Sequence, residues 1–336
     1  MTNSITLAIS SSLFLTQKIK SIFLFTLLIT LLFVGSPINS YSQTPDEKFF
    51  FGTDTNESSY DVYRGLDVIS GPWVLDSWKE YNTRFLETVT KNNQIPYLYL
   101  YTIASMAKKD RGLTDCNVPN NNKPDNSRSY DLCSDGANFL STRYWQSGSN
   151  GIIENYRNIF QSIRSARGDK PIYLHFEPDY YQYFNDGGSQ GNTQSTRLNS
   201  NQMRDFMAPI INLAKYYLPQ AKIVIDISPW VSDLNIFKTQ LGDLADYYGL
   251  VGKEFKGTDY VIDAGRNYKA LSEALGKKLI VNTSHYGGGN LPLDLNTWNC
   301  DNTKKRAIDG VAGLIMRPKN SSEGYQYREL ATSCEV

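Results

Sequence analysis

The sequence predicts an α/β fold: a distorted or incomplete (β/α) barrel of seven to eight parallel strands. Short runs of apolar and β-favouring residues alternate with segments whose apolar residues recur at helical spacing, the pattern of βα units that pair in parallel. Several of the runs end abruptly in a carboxylate, where barrels of this kind carry their functional groups. No short-period repeat and no internal linker interrupts the 336 residues, so one large barrel accommodates the length.

The first 42 residues read as a signal peptide. Lys18 and Lys20 form a basic flank, residues 21–35 (SIFLFTLLITLLFVG) form an apolar run of signal length, and Ser40-Tyr41-Ser42 offers a small-residue cleavage site before Gln43. A retained signal anchor is the alternative, and the run is short for a spanning helix. The expected product is a single secreted domain over 43–336 with no stable membrane association. Formal net charge is zero, and cleavage leaves 32 basic residues against 34 acidic ones. Such balance argues against a polyanionic partner such as nucleic acid. With 23 Tyr and 5 Trp, the chain is well supplied with flat amphipathic rings suited to sugar faces.

In chain order, residues 48–52 (KFFFG) read as a first strand and 73–92 as a helix with Trp78, Phe85, Leu86 and Val89 on one face. Residues 95–104 (IPYLYLYTIA) read as a second strand buried on both faces. A polar insertion over 108–135 follows, long enough to need ordering. Residues 151–167 carry Ile152, Ile153, Tyr156, Ile159, Phe160 and Ile163 at helical spacing and lead into KPIYLHFEPDYYQY at 170–183. That strand ends in Glu177-Pro178-Asp179 and a row of tyrosines. A Gly, Asn, Gln and Ser-rich loop over 186–200 precedes a helix to Tyr217, capped by Ser200 or Asn201. Residues 221–228 (AKIVIDIS) form a strand that delivers Asp226. Short strands are expected at 247–251 and 260–263, a helix at 268–276, a strand at 278–283 opening into a glycine-rich loop, a short helix at 304–309, and a last strand at 311–316 followed by a polar loop over 317–324.

Four cysteines in an exported chain suggest two disulfides, most simply Cys116 with Cys133 and Cys300 with Cys334. No C-x-x-C spacing occurs, and His175 and His285 are the only histidines, so no metal site is expected.

The loops after the strands offer Asp115, Glu177, Asp179, Asp226, His285, Arg317 and Glu323. Carboxylates gathered on one face beside aromatic residues suit glycoside hydrolysis. There one carboxylic acid protonates the leaving oxygen and, in the inverting case, a second carboxylate activates water across about 6.5–9.5 Å.

The order of segments resembles glycoside hydrolase family six, the cellobiohydrolases and endoglucanases. IYLHFEPDYYQY at 172–183 resembles the family's strand ending in E-P-D-S-L, and TDC at 114–116 the end of its Y-D-L-P-D-R-D-C loop. IVIDISPW at 223–230 resembles Y-L-D-A-G-H, RNYKAL at 266–271 the N-Y-N segment, and IVNTSHYGGG at 280–289 the I-D-T-S-R-N-G segment. Trp298-Asn299-Cys300 resembles W-C-N, and LIMRPKNSSEG at 314–324 resembles V-W-V-K-P-P-G-E-S-D-G.

The resemblance implies a secreted inverting hydrolase of β-1,4-glucan chains with Asp179 as general acid. It implies Asp115 as the ionised neighbour that keeps Asp179 protonated, Asp226 as a further carboxylate near the cleaved bond, and Glu323 at the position of the proposed base. Arg317 takes the place of a sugar-binding Lys, and Trp298 that of a stacking platform. Trp230, Tyr268 and Tyr101 are further candidates for the cleft wall, with Asn282 and His285 where the family has Asp and Arg. Ser321 replaces a Glu, and the loop between Tyr101 and Asp115 is lengthened. These exchanges keep open a weakly active or non-catalytic glycan-binding protein on the same barrel, or a hydrolase of another linkage. No cofactor is expected, the partner is a polysaccharide or oligosaccharide, and the protein is expected to be a monomer. Of the sequons at Asn56, Asn282 and Asn320, the last two are expected to be unmodified.

Overall fold

A computed structural model describes residues 48–54, 63–111, 139–178, 180, 200–227, 234–251, 267–282, 295, 298–318 and 320–336. Eight strands close into a parallel barrel in chain order: β1 (Phe50–Asp54), β2 (Val68–Ser70), β3 (Ile95–Leu100), β4 (Ile172–Phe176), β5 (Ala221–Asp226), β6 (Tyr247–Val251), β7 (Leu279–Asn282) and β8 (Val311–Met316). The seam is β1 on β8, with Phe50 opposite Gly313 and Thr53 opposite Met316. The barrel is therefore complete, at the upper end of the expected strand count.

Alternation along each strand divides the side chains between two cores. Phe50, Val68, Tyr97, Tyr99, Tyr173, Val224, Tyr247, Ile280, Ala312 and Ile315 form one cluster with a contribution from every strand, which fills the lumen. Their neighbours, among them Phe51, Leu98, Leu174, Ile225, Tyr248, Val281 and Leu314, face the surrounding helices. Burial on both faces explains the continuous apolar runs.

The helices are α1 (Glu80–Lys91), α2 (Thr102–Arg111), α3 (Ile152–Arg167), α4 (Ser200–Tyr217), α5 (Leu234–Leu241), α6 (Tyr268–Leu275), α7 (Cys300–Ile308) and α8 (Ser321–Ser333). In α3, Ile152, Tyr156, Ile159, Phe160 and Ile163 make the buried stripe that its spacing predicts. Tyr327 fixes α8 across the seam by donating to the Gly52 carbonyl at 3.0 Å and lying 3.2 Å from that of Leu314.

Several expected boundaries differ. The second strand ends at Leu100, and Thr102 opens α2, so residues 102–104 are helical. The helix expected from Trp73 starts at Glu80, because Val74 is held beside β3: its N–H donates to Tyr99 at 2.8 Å and its carbonyl accepts from Tyr101 at 2.9 Å. α7 starts four residues earlier than expected. The loop expected at 317–324 already contains the first turn of α8, capped by Asn320, whose Oδ1 accepts from the Glu323 N–H at 3.0 Å. The expected strand at 260–263 lies outside the described residues, as do most of the 108–135 and 186–200 loops.

Cys300 and Cys334 are bonded, joining the start of α7 to the residue after α8. Cys116 and Cys133 lie outside the described residues. No described helix is long and apolar enough to cross a membrane. The 34-residue separation of the bonded pair sets the expected stabilisation at about 3–4 kcal/mol from the loop entropy removed from the unfolded chain. Cys334→Ser should lower the denaturant midpoint accordingly under non-reducing conditions. An unchanged midpoint would show that the bridge constrains nothing.

Candidate active site

The carboxyl ends of the strands bring a polar layer to one mouth of the barrel, above the aromatic filling. Asp54 ends β1, Ser70 ends β2, Asp226 ends β5 and Asn282 ends β7. Tyr99 on β3 and His175 on β4 are cross-strand partners, and their rings lie 5.0 Å apart. Each of these polar residues is buried.

His175 is the centre of the layer. Its Nδ1 lies 2.7 Å from the Tyr97 hydroxyl, and its Nε2 lies 3.4 Å from Asp226 Oδ1. The imidazole sits on the backbone of β6: a Cβ on Gly249 would lie 2.5 Å from His175 Cε1. A side chain at 249 would thus collide with the ring. Burial raises the Tyr97 hydroxyl pKa well above the ordinary tyrosine value, and the charges of Tyr99, Asp226 and Tyr173 add to the rise. Tyr99 is raised in the same way by burial and then by Asp54, partly offset by a hydrogen bond from Ser70, with Asp226 adding to the rise. Both phenols therefore stay protonated at neutral pH. Trp73 stacks on Tyr99 at 5.3 Å and meets the edge of Tyr101 at 5.2 Å, adding a half-buried indole to the rim.

Glu177 follows β4 and is 1% exposed. Its N–H still pairs with Leu100 at 2.8 Å, but its φ of 38° turns the chain into a region that non-glycine residues rarely occupy. The side chain reaches the start of α2, where Oε1 accepts from the Ile103 N–H at 2.7 Å. The same oxygen accepts from the Tyr156 hydroxyl of α3 at 2.5 Å. Burial pushes its carboxyl up to about 7, against the lowering effect of Tyr156 and of the Ile103, Ala104 and Thr102 N–H groups. Three residues on, Tyr180 donates its N–H to the Glu177 carbonyl at 2.8 Å. The Tyr180 hydroxyl donates to Met203 of α4 at 3.0 Å. The Glu177–Tyr180 turn is thus anchored at both ends.

The other expected site residues distribute as follows. Asp115, Asp179, Trp230 and His285 lie outside the described residues. Tyr101, expected on the cleft wall, follows β3 but is 7% exposed and packs in the helix-side core, with Lys108 Nζ 5.0 Å from its ring centre. Arg317 is exposed just after β8, and Glu323 is partly buried in the first turn of α8. Both act on the Tyr63 hydroxyl, whose pKa is raised by burial, lowered by Arg317 and raised by Glu323. Trp298 and Tyr268 do not form an open platform: they are 2% and 0% exposed and pack together at 6.2 Å in the helix-side core. The apolar rings gain more from that core than a position before α7 suggested. Asn282 is 1% exposed, so its side chain is inaccessible to glycan transfer in the folded chain. Among the described residues, no three His, Cys, Asp or Glu side chains gather as a metal site.

His175, Tyr97, Tyr99 and Trp73 were not among the residues expected to form the site. Period two along IPYLYL and IYLHF puts Tyr97, Tyr99, Tyr173 and His175 on one face, and that signal was legible.

No family model and no curated protein matches the chain. Among solved structures, it is similar to a mutant morphinone reductase in complex with tetrahydroNAD at 10% identity and TM-score 0.50, covering 84% of this chain and 87% of that one. It is also similar to the old yellow enzyme homologue from Zymomonas mobilis at 11% identity and TM-score 0.45, covering 77% and 78%. A GH18 chitinase from Pseudoalteromonas aurantia matches at 10% identity and TM-score 0.44, covering 85% and 99%. At these identities the likeness is one of barrel fold.

The folded Glu177 carboxyl holds its proton to about pH 7, whereas the ordinary value is 4.5. Between those values the native state binds more protons than the unfolded chain, so this group's contribution to stability is full below pH 4.5 and is lost as pH rises through 7. Relative to Glu177→Gln, the wild-type protein should lose about 3 kcal/mol of unfolding free energy between pH 4 and pH 8. Urea titrations across that range measure it, and parallel curves would refute the assignment.

Proposed function

We propose that the protein is an exported, inverting glycoside hydrolase of the family-six kind, cleaving β-1,4-glucan or a closely similar polysaccharide, with Asp179 as general acid. The observation that carries this reading is the anchored turn after β4. Glu177 and Tyr180, which flank Pro178-Asp179 in the sequence, are both buried and hydrogen-bonded, so two fixed residues bracket the proposed acid. A proton donor needs such a fixed origin, because a displacement of about 1 Å can cost about 100-fold in rate.

In this reading Asp179 donates its proton to the glycosidic oxygen as the bond breaks, and Asp115 is the carboxylate that disfavours its earlier ionisation. A water enters from the opposite face of the sugar ring and gives its proton to a second carboxylate, for which Glu323 holds the family position. Asp226, ending the strand beside β4, supplies a further negative group at the mouth. Trp73 offers the aromatic wall in place of Trp298. Arg317 contacts sugar hydroxyls beside Glu323.

One observation favours a second reading, a non-catalytic glycan-binding protein on the same barrel. Asn282 ends β7 as a buried neutral amide where the resemblance has an aspartate, and the mouth loses one charge.

Asp179→Asn should reduce turnover of a soluble β-glucan by about 100- to 10,000-fold, the usual contribution of a general acid, with circular dichroism and ligand binding unchanged. Undiminished turnover would reject the assignment. Proton NMR of the newborn reducing end should show the anomer opposite to the substrate linkage, and a retained anomer would reject inversion. Binding to the polymer with no products from the wild-type protein would select the second reading.

A further inference from the structure

We propose that Tyr97, His175 and Asp226 form a directed hydrogen-bonded chain through the barrel that holds the Asp226 carboxylate in one orientation at the mouth, with Tyr97 and His175 as positioning residues for the reaction. The catalytic use of this chain rests on the hydrolase reading; the chain itself does not.

The direction follows from what each group is able to give. An ionised carboxylate only accepts, so the His175 nitrogen facing Asp226, Nε2 at 3.4 Å, carries the hydrogen. In the neutral ring Nδ1 is then a lone-pair acceptor, and the group 2.7 Å from it is the Tyr97 hydroxyl. Tyr97 is wholly buried, which favours its neutral, proton-bearing form. The chain therefore runs from the Tyr97 O–H to Nδ1 and from Nε2–H to Asp226.

Packing removes the alternatives. His175 is 0% exposed. Its ring is bounded by Tyr99 at 5.0 Å and Tyr97 at 5.7 Å between centroids, and by the Gly249 backbone on β6, where a Cβ would fall 2.5 Å from Cε1. A ring turned over about its Cβ–Cγ bond would set Cδ2 toward the Tyr97 hydroxyl and Cε1 toward Asp226, leaving carbon where each partner now meets nitrogen. Around this chain the ionisable neighbours are Tyr99 on β3, Tyr173 on β4 and Asp54 beyond Tyr99. A core histidine that served packing alone needs no such sequence of donor and acceptor ending on a carboxylate at the functional end of the barrel.

The test uses the full-length protein labelled with ¹⁵N-histidine. Only His175 and His285 contribute ring signals, and a His285→Gln variant assigns them. At neutral pH His175 should show a protonated Nε2 and an unprotonated, hydrogen-bonded Nδ1. Tyr97→Phe, which removes one oxygen from the lumen, should move Nδ1 toward the shift of a nitrogen without a donor, and Asp226→Ala should abolish the preference for Nε2–H. A ring protonated at Nδ1, or an Nδ1 shift indifferent to Tyr97→Phe, overturns the chain. On a soluble β-glucan, Tyr97→Phe should lower kcat by roughly 10- to 100-fold at unchanged KM. A change confined to KM, or none, overturns the positioning role. If the expected spectrum accompanies a wild-type protein that cleaves no glycan, the hydrogen-bonded chain stands and the hydrolase reading, with the catalytic use of the chain, falls.

Discussion

The structure depends on filling a closed lumen. Eight short strands tilted around an axis leave an interior that must be occupied by side chains at near-crystalline density. Here the occupants are large rings: Phe50 against Tyr173 at 5.1 Å, Tyr97 against Tyr173 at 5.8 Å, and Tyr173 against Tyr247 at 5.9 Å. Rings of this size fit because other strands withdraw. A Cβ on Gly313 would lie 2.3 Å from the Phe50 ring, and one on Gly249 would strike His175. Each tyrosine also carries a hydroxyl into a dry space, and an unpartnered one costs about 1–3 kcal/mol. The Tyr97 hydroxyl meets that demand on His175, and His175 passes its own to Asp226. The polar chain is a consequence of filling the barrel with phenols.

Glu177 resolves a different demand, that of a chain turning sharply from a buried strand. Its positive φ costs about 1–3 kcal/mol, and burial adds the desolvation that raises its carboxyl to about 7. Against this stand the bonds from Ile103 and Tyr156, each worth about 0.5–1.5 kcal/mol to the neutral carboxyl. The two sides are comparable in size, so the turn holds because the first turn of α2 and the face of α3 are already fixed by packing. One side chain thereby ties the end of β4 to α2 and α3.

The barrel was legible because both strand faces are buried, and runs such as AKIVID and VAGLIM have few other uses. β2 was not: Val68–Ser70 is three residues long, too short for periodicity to register, and its pairing with β1 and β3 creates it. The start of α2 was hidden by IPYLYLYTIA, where β-favouring residues run past Leu100 and the carboxylate that caps the helix lies 75 residues away, at Glu177. Asp226 was legible as a strand-end carboxylate. Trp298 misled because an indole before a helix reads equally as platform or core, and its contact with Tyr268 decides for the core. His175 was weighed as a metal ligand; its hydrogen-bonding role depends on Asp226, one strand away in space but distant in sequence.

The charge at the mouth is limited by the same burial that creates it. Asp54 and Asp226 both raise the Tyr99 pKa, and like charges near one another disfavour further ionisation. Such a mouth tolerates few ionised carboxylates unless donors face them. Asp226 has His175 on one side, whereas Glu177 turns away to the start of α2 and the face of α3. At the end of β7, Asn282 is buried and neutral. An aspartate there would add a further charge to the same layer. A neutral Asn282 is thus compatible with the rest of the mouth, where Asp54 and Asp226 already stand at the ends of β1 and β5 and Asp226 faces His175.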